Sequence, residues 1–386
     1  MKALNNYLDK IRPNFQKGGK YQYLHSTFDA FDTFLFVPGH VTQKGSHIRD
    51  GIDLKRTMFT VVIAVMPALL FGMWNVGYQH FLNLGETASF WETFFYGLLK
   101  VLPLVIVSYV AGLGIEFIFA QLRGHDVNEG FLVSGILIPL IVPVSTPLWM
   151  VAVATIFAVI IGKEVFGGTG MNMVNPAILA RAFLFFAYPS NMSGDKVWIA
   201  EQVDGTSGAT PLGHLLTATE KADLNAIPSV LDSFLGTIPG SVGETSTLAI
   251  LIGGMILLLT GVASWRVMVS VFAGGFLMGS LFNVIGANVY MTLPAVYHLV
   301  LGGFAFGAVF MATDPVTAAQ TNTGKYIYGF LIGLMAVLIR VVNPAYPEGM
   351  MLAILLLNVF APLIDHFVVA ANIKRRKKRL SQLAAL

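Results

Sequence analysis

A chain of 386 residues that is 55% hydrophobic and only 12% charged, with a mean hydropathy of +0.70, lies outside the range of soluble globular domains and reads as a polytopic membrane protein. Its net charge of +3 comes mostly from the two ends, where basic residues beside a bilayer meet lipid headgroups, so no nucleic-acid partner is expected. Without cysteine the chain supplies no thiolate to an iron–sulfur cluster and forms no disulfide; any such cluster belongs to a partner.

Residues 1–55 read as a polar cytoplasmic extension without the charged-then-apolar pattern of a signal peptide, and its Phe34-Leu35-Phe36 cluster is a docking point for the membrane or a neighbour. A helix needs about 20 apolar residues to cross a bilayer core about 30 Å thick. Ten apolar stretches follow, at 56–76, 94–120, 129–145, 148–163, 174–190, 246–264, 267–287, 293–312, 326–343 and 350–369. The third to fifth are short and broken by Pro139, Pro143, Pro147, Pro176 and Pro189. The expected fold is an all-α polytopic membrane protein of ten transmembrane helices in two five-helix repeats, 56–190 and 246–370. A loop at 191–245 separates the repeats, and a basic tail at 371–386 ends the chain. Val174-Asn175-Pro176-Ala177 recurs as Val342-Asn343-Pro344-Ala345, each copy at a break between apolar segments. An odd number of spans per half turns the second copy upside down, and such breaks are tolerated where they line a cavity.

Loops rich in Lys and Arg stay cytoplasmic. Lys55-Arg56 and their upstream neighbours mark one end, and Lys374-Arg375-Arg376-Lys377-Lys378-Arg379 the other, so both termini are expected inside a bacterial inner membrane. Ten spans then put 191–245 on the periplasmic side, where Asp and Glu outnumber Lys.

Ionisable and polar residues at membrane depth are the candidates for function, because burying them unpaired is costly. Glu116, Asp314 and Asp365 fall near cytoplasmic span ends, where carboxylates, carbonyls and water suit Na⁺; each reads equally as an interfacial carboxylate, and Asp314 before Pro315 as a turn initiator. In the glycine-rich stretch Gly162 to Pro176, Asn172 and Asn175 offer carboxamides suited to a flavin edge or to capping the helix that begins at Pro176. Arg181 and Arg340 are expected in structural ion pairs, and His298 as a helix-packing hydrogen bonder.

The loop at 191–245 contains Asp204-Gly205-Thr206-Ser207-Gly208-Ala209-Thr210. This run matches the Asp-x-x-Ser/Thr-Gly/Ser-Ala-Thr signature at which flavin transferases attach FMN through its phosphate to the final threonine. A threonine hydroxyl is a weak nucleophile unaided, so an outside enzyme activates it, and small neighbours let that enzyme close around it.

With this motif, the Lys163-to-Pro176 segment followed by Ala180-Arg181-Ala182-Phe183, and the stretch Ile339 to Gly349, the chain resembles the B-type subunits of the bacterial sodium-translocating NADH:quinone reductases. It is similar also to the related D-type subunits of the Rnf ferredoxin:NAD oxidoreductases. The N-terminal extension and His125-Asp126-Val127-Asn128-Glu129-Gly130 favour the former. The resemblance implies a urea-transporter-like inverted repeat, FMN covalently on Thr210, non-covalent riboflavin near Asn172 and Asn175, and quinone as substrate. It implies a sodium pathway at Glu116, Asp314 and Asp365, and a quinone pocket near Gly112, Leu113, Phe183 and Phe185. Leu113 interrupts the adjacent glycines of the family pattern. Partners implied are the A, C, D, E and F components of the reductase, with their flavins and iron–sulfur centres, and a flavin transferase. The alternatives are an Rnf-type component, which would not reduce quinone, and a non-redox channel of urea-transporter type, which has no use for a flavin acceptor.

Overall fold

The computed structural model describes residues 2–16, 18–36, 42, 44–46, 52, 54–124, 130–203, 206–217, 227–343 and 349–383. Asp204, the stretch 125–129 and Pro344-Ala345 of the second repeat copy lie outside the described residues. Every regular element among the described residues is helical. In chain order they are α1 Lys2–Ile11, α2 His25–Leu35, α3 Leu54–Leu84, α4 Phe90–Arg123, α5 Phe131–Ile141, α6 Leu148–Gly162, α7 Pro176–Ala187 and α8 Pro189–Met192. These are followed by α9 Pro211–Thr217, α10 Val230–Leu235, α11 Thr247–Leu259, α12 Trp265–Ile285, α13 Ala295–Val300, α14 Phe304–Phe306, α15 Asn322–Val342 and α16 Gly349–Leu383.

Six of the ten apolar stretches form helices long and apolar enough to cross a membrane: α3, α4, α6 with its extension to Phe166, α12, α15 and α16. The other four do not span alone. At 1.5 Å per residue, α5, α7 and α11 reach only about 16–20 Å. The eighth stretch breaks at Leu301–Gly303, where Gly302 has φ +64°, and resumes as α14 and a π turn at Gly307–Met311. That conformation suits a residue without Cβ. The basic stretch 374–379 is an exposed continuation of α16.

Local sequence explains the boundaries. Ser89 and Glu92 form a capping box at the start of α4, which ends at Gly124 with φ 68°. Asn175 and Pro176 open α7. The end of α5 is completed from far along the chain: Gly243 N–H donates to the Leu140 carbonyl at 2.8 Å, and the Ser241 hydroxyl to that of Ile141 at 3.3 Å. Carbonyls that a short helix leaves open are thereby satisfied, as an apolar environment demands.

α4 packs on α3, α5 and α6, and α6 on α7; in the second half α12 packs on α13 and α15, and α15 on α16. Contacts of α3 with α11 and of α7 with α16 join the halves. α3 and α4 approach so closely at Gly97 that a methyl group there would overlap the Met73 carbonyl. Gly97→Val is therefore expected to cost at least the roughly 1–3 kcal/mol of ordinary overpacking, seen as a lowered thermal midpoint in detergent. In the extension, α2 docks on α4 through Phe31, 6.0 Å from Phe117, while Leu35 of the expected docking cluster is exposed. Phe15 stacks on Phe28 at 4.5 Å, and Arg12 pairs with Asp32 at 2.6 Å.

Candidate functional site

Two clefts open at opposite ends of α3. Thr57 lines one of them; Asn83, 26 residues and roughly 40 Å further along α3, holds the loop whose Thr210 lines the other, although their inner walls come much closer together.

The loop at 191–245 is bound to the ends of α3 and α4. Asn83 accepts from Val203 N–H at 2.9 Å and donates to the Thr206 hydroxyl at 2.8 Å; Asn75 donates to the Ile238 carbonyl at 3.0 Å. Glu201 pairs with Lys100 and accepts from the Tyr96 hydroxyl at 2.9 Å. These partners hold its carboxyl below the usual range, so this clamp is present at neutral pH and is lost as pH falls through the lowered value.

Within the motif, the Ser207 hydroxyl donates to Asp195 Oδ1 at 3.2 Å and accepts from Ala209 N–H at 3.4 Å. Gly208 lies against the Asp195 carbonyl, leaving no room for a Cβ. Half-buried Thr210 caps α9: its hydroxyl accepts from Gly213 N–H at 3.1 Å, and its carbonyl accepts from His214 N–H at 3.0 Å. Thr210 also lines a cleft of about 1360 Å³, together with Trp198, Ser241, Glu244, Thr245 and Gly302. Of these, sequence reasoning placed only Thr210. The polar run Ser241, Glu244, Thr245, Ser246 just before an apolar helix was the available signal.

The opposite cleft, about 800 Å³, is lined by Thr57, Ser134, Lys163, Asn172, Asn175 and Asp314. Asn175 caps α7, as one of its two expected roles requires: its Oδ1 accepts from Ala177 N–H at 2.9 Å and Ile178 N–H at 3.3 Å, and its amide donates to Asp314 Oδ2 at 3.4 Å. Asn172 donates to the Val174 carbonyl at 3.2 Å. Asp314 accepts from Val316 N–H at 3.1 Å, as a turn initiator does, and from the Thr317 hydroxyl at 3.0 Å. Lys163 forms a buried ion pair with Glu116. The set offers donors, acceptors and apolar walls of the kind a planar heterocycle requires.

Asp365 is placed elsewhere. It accepts from Gln320 N–H at 2.6 Å, from Thr321 N–H at 3.0 Å and from the Thr321 hydroxyl, so it secures the start of α15. Asp365→Ala is expected to cost about 1–2 kcal/mol, like the loss of a helix cap, read as a lower thermal midpoint. Among the described residues no three His, Cys, Asp or Glu side chains gather around a cation position, so Glu116, Asp314 and Asp365 form no single site. The residues associated with quinone are also dispersed. Gly112 is a notch for the Phe131 ring and Leu113 is half-buried. Phe183 stacks on Phe157 at 4.6 Å, and Phe185 meets Phe186 edge-on at 5.9 Å; none of the four lines either cleft.

α7 connects the two clefts. From Asn175 to Arg181 is six residues, about 9 Å of helix rise. Arg181 donates to the Ser241 hydroxyl at 3.1 Å and lies 3.6 Å from Glu244, the ion pair expected of it. Between the clefts is a small cavity of about 350 Å³ bordered by Ile178, Arg181, Glu244, Gly303, Met311 and Ile354. Arg340, fully buried, donates to the His298 carbonyl at 2.9 Å. The His298 ring nitrogens have no hydrogen-bond partner among the described residues, so its side chain is not the helix-packing bonder expected. Burial between α13 and α12 at Gly279 excludes water from the ring.

A family model described as NQR2, RnfD, RnfE matches residues 41–374. Among curated proteins, the B-type subunit of the Na(+)-translocating NADH-quinone reductase of Ectopseudomonas mendocina (strain ymp) is 53% identical, covering 98% of this chain and 99% of the relative. Its counterpart in Azotobacter vinelandii is 52% identical with the same coverage, and that of Chromohalobacter salexigens 51%, covering 98% of this chain and 97% of the relative.

Proposed function

The chain belongs to the NQR2, RnfD, RnfE family, and on that footing we propose that it serves as the B-type subunit of a sodium-translocating NADH:quinone reductase. It lies in the bacterial inner membrane with both termini cytoplasmic and acts beside the A, C, D, E and F components, which carry the iron–sulfur chemistry a cysteine-free chain lacks. FMN on Thr210 and riboflavin in the Asn172–Asn175 cleft supply the redox chemistry when bound, with quinone as the electron acceptor. The observation that carries this reading is the placement of the motif threonine and the carboxamide cleft at opposite ends of one helical body, with α7 running between them.

This chain's own residues hold, orient and insulate. Thr210 presents a hydroxyl to one cleft; Asn172, Asn175 and Lys163 present polar groups in the other; Ile178, Met311 and Ile354 give apolar walls to the cavity between them, beside the Arg181–Glu244 pair. The packing of α4 on α5 and α6, and of α12 on α13 and α15, supports the inverted-repeat reading. So does the position of each copy at a helix boundary, Val174-Asn175 at the head of α7 and Val342-Asn343 at the end of α15. Sodium uptake is assigned to Glu116, Asp314 and Asp365 acting at separate points of a path.

The test is NADH-driven ²²Na⁺ uptake into inverted vesicles from a strain whose own B-type subunit is replaced by this chain. Uptake abolished by a sodium ionophore is the expected result. An assembled complex that oxidises NADH without moving sodium would overturn the pump assignment.

A further inference from the structure

We propose that the groove between the first turn of α15 and the end of the apolar part of α16 binds one anionic phospholipid, with Arg375 on its phosphate and its acyl chain along Ile364, Phe367 and Val368. The inference uses only the membrane class of the chain and stands apart from the redox assignment. The groove, about 660 Å³, has two chemically different ends. Ile327 of α15 joins the three apolar residues of α16 at one end; Thr323, Asn372 and Arg375 supply polar groups at the other. α15 and α16 run antiparallel, since Thr321 bonds to Asp365 and Tyr328 to Asn358, so Thr323 lies on the Arg375 side of Ile327. On α16 the lining residues recur every three or four positions from Ile364 to Arg375, a single stripe about 16 Å long.

The groove opens outward, where Phe367 is 65% and Leu363 47% exposed, so a lipid can enter it sideways from the bilayer. At 35 residues and about 52 Å, α16 is longer than a bilayer core of about 30 Å, and its basic end begins within one turn of Ala371. From residue 349 onward Asp365 is the only acid, against six consecutive cations at 374–379. Its carboxylate is engaged by Gln320 N–H and by the N–H and hydroxyl of Thr321. None of the six cations is in an ion pair among the described residues. That end of the groove therefore selects an anion. Arg375 offers a phosphate a charge-assisted, fork-shaped contact. Lys378 and Arg379, three and four positions further along the same stripe, repel the ammonium of a zwitterionic headgroup. A free anion would leave the apolar end empty, whereas an acidic lipid matches both ends in order.

The test uses the full-length chain in detergent, with dioleoylphosphatidylglycerol or dioleoylphosphatidylcholine added and native mass spectrometry as the readout. One phosphatidylglycerol per chain is expected to be retained at a concentration about fivefold below that needed for phosphatidylcholine, the ratio that one cation supplies at a membrane surface. Arg375→Gln is expected to weaken phosphatidylglycerol retention about fivefold, and Ala371→Trp, which fills the groove without changing charge, at least as much. Lys377→Gln removes the same charge from the opposite side of α16 and is expected to change retention less than about twofold. All three positions are exposed, so the fold tolerates the changes. Equal retention of the two lipids by the wild type overturns the proposal. So does equal loss from Arg375→Gln and Lys377→Gln, which would mark a diffuse field rather than a seat, or undiminished retention by Ala371→Trp. A wild-type dimer that Ala371→Trp dissolves would give the groove to a second copy of the chain and overturn it equally.

Discussion

Thr210→Ala is expected to lower in-gel flavin fluorescence of the denatured chain to background when the wild type, co-expressed with a flavin transferase, fluoresces. The effect is all or none because the phosphoester has a single oxygen to form on. The nearby hydroxyls are poor substitutes: Ser207 is engaged with Asp195 and Ala209, and Thr206 bonds to Asn83 and to the Val203 carbonyl. Alanine also removes the cap of α9, worth about 1 kcal/mol, so Thr210→Ser is the control that keeps cap and hydroxyl together. Serine is expected to retain a fluorescent band. Fluorescence persisting in the alanine chain would place the flavin on another residue.

Breaking the buried pair of Glu116 and Lys163 should have the largest effect on stability. Both side chains are about 95% buried, and removing one partner strips the other of this buried ion pair, a loss of the kind that costs about 3–5 kcal/mol. Lys163→Met is expected to lower the thermal midpoint sharply, and the double replacement Glu116→Gln/Lys163→Met to recover most of the loss. The pair also separates two roles for Glu116. If it takes part in sodium uptake, the double variant regains stability but shows a raised half-saturating sodium concentration. If it only neutralises Lys163, stability and sodium dependence recover together.

The sequence displayed the membrane class, both basic ends and the motif threonine, because hydropathy, charge and a fixed spacing are all local properties of a chain. It showed Asn175 as a cap for the same reason: Asn before Pro at the head of an apolar run is a local helix-start signal. What it hid depends on pairing at long range. Glu116 and Lys163 are 47 residues apart, and Asp365 and Thr321 are 44 apart; neither pairing leaves a periodic trace. The eighth stretch counted as a span because its composition is apolar throughout, whereas a left-handed Gly302 and a π turn divide it. Glu244 and Thr245 were read only as part of a charged loop, since nothing local reveals that the loop folds back to Leu140 and Arg181.

The bonds from Gly243 and Ser241 to the end of α5 have a consequence for biogenesis. A ribosome delivers α5 to the insertion machinery about 100 residues before it delivers the groups that satisfy Leu140 and Ile141. Until the loop has been made and has folded back, those carbonyls lack their final partners. The first half therefore cannot reach its final form as an autonomous unit, and its last folding step waits for synthesis of the segment that carries Ser241 and Gly243. Truncation after residue 235 should yield a nascent chain that quality-control proteases recognise, even though the helices from α3 to α7 have all been made.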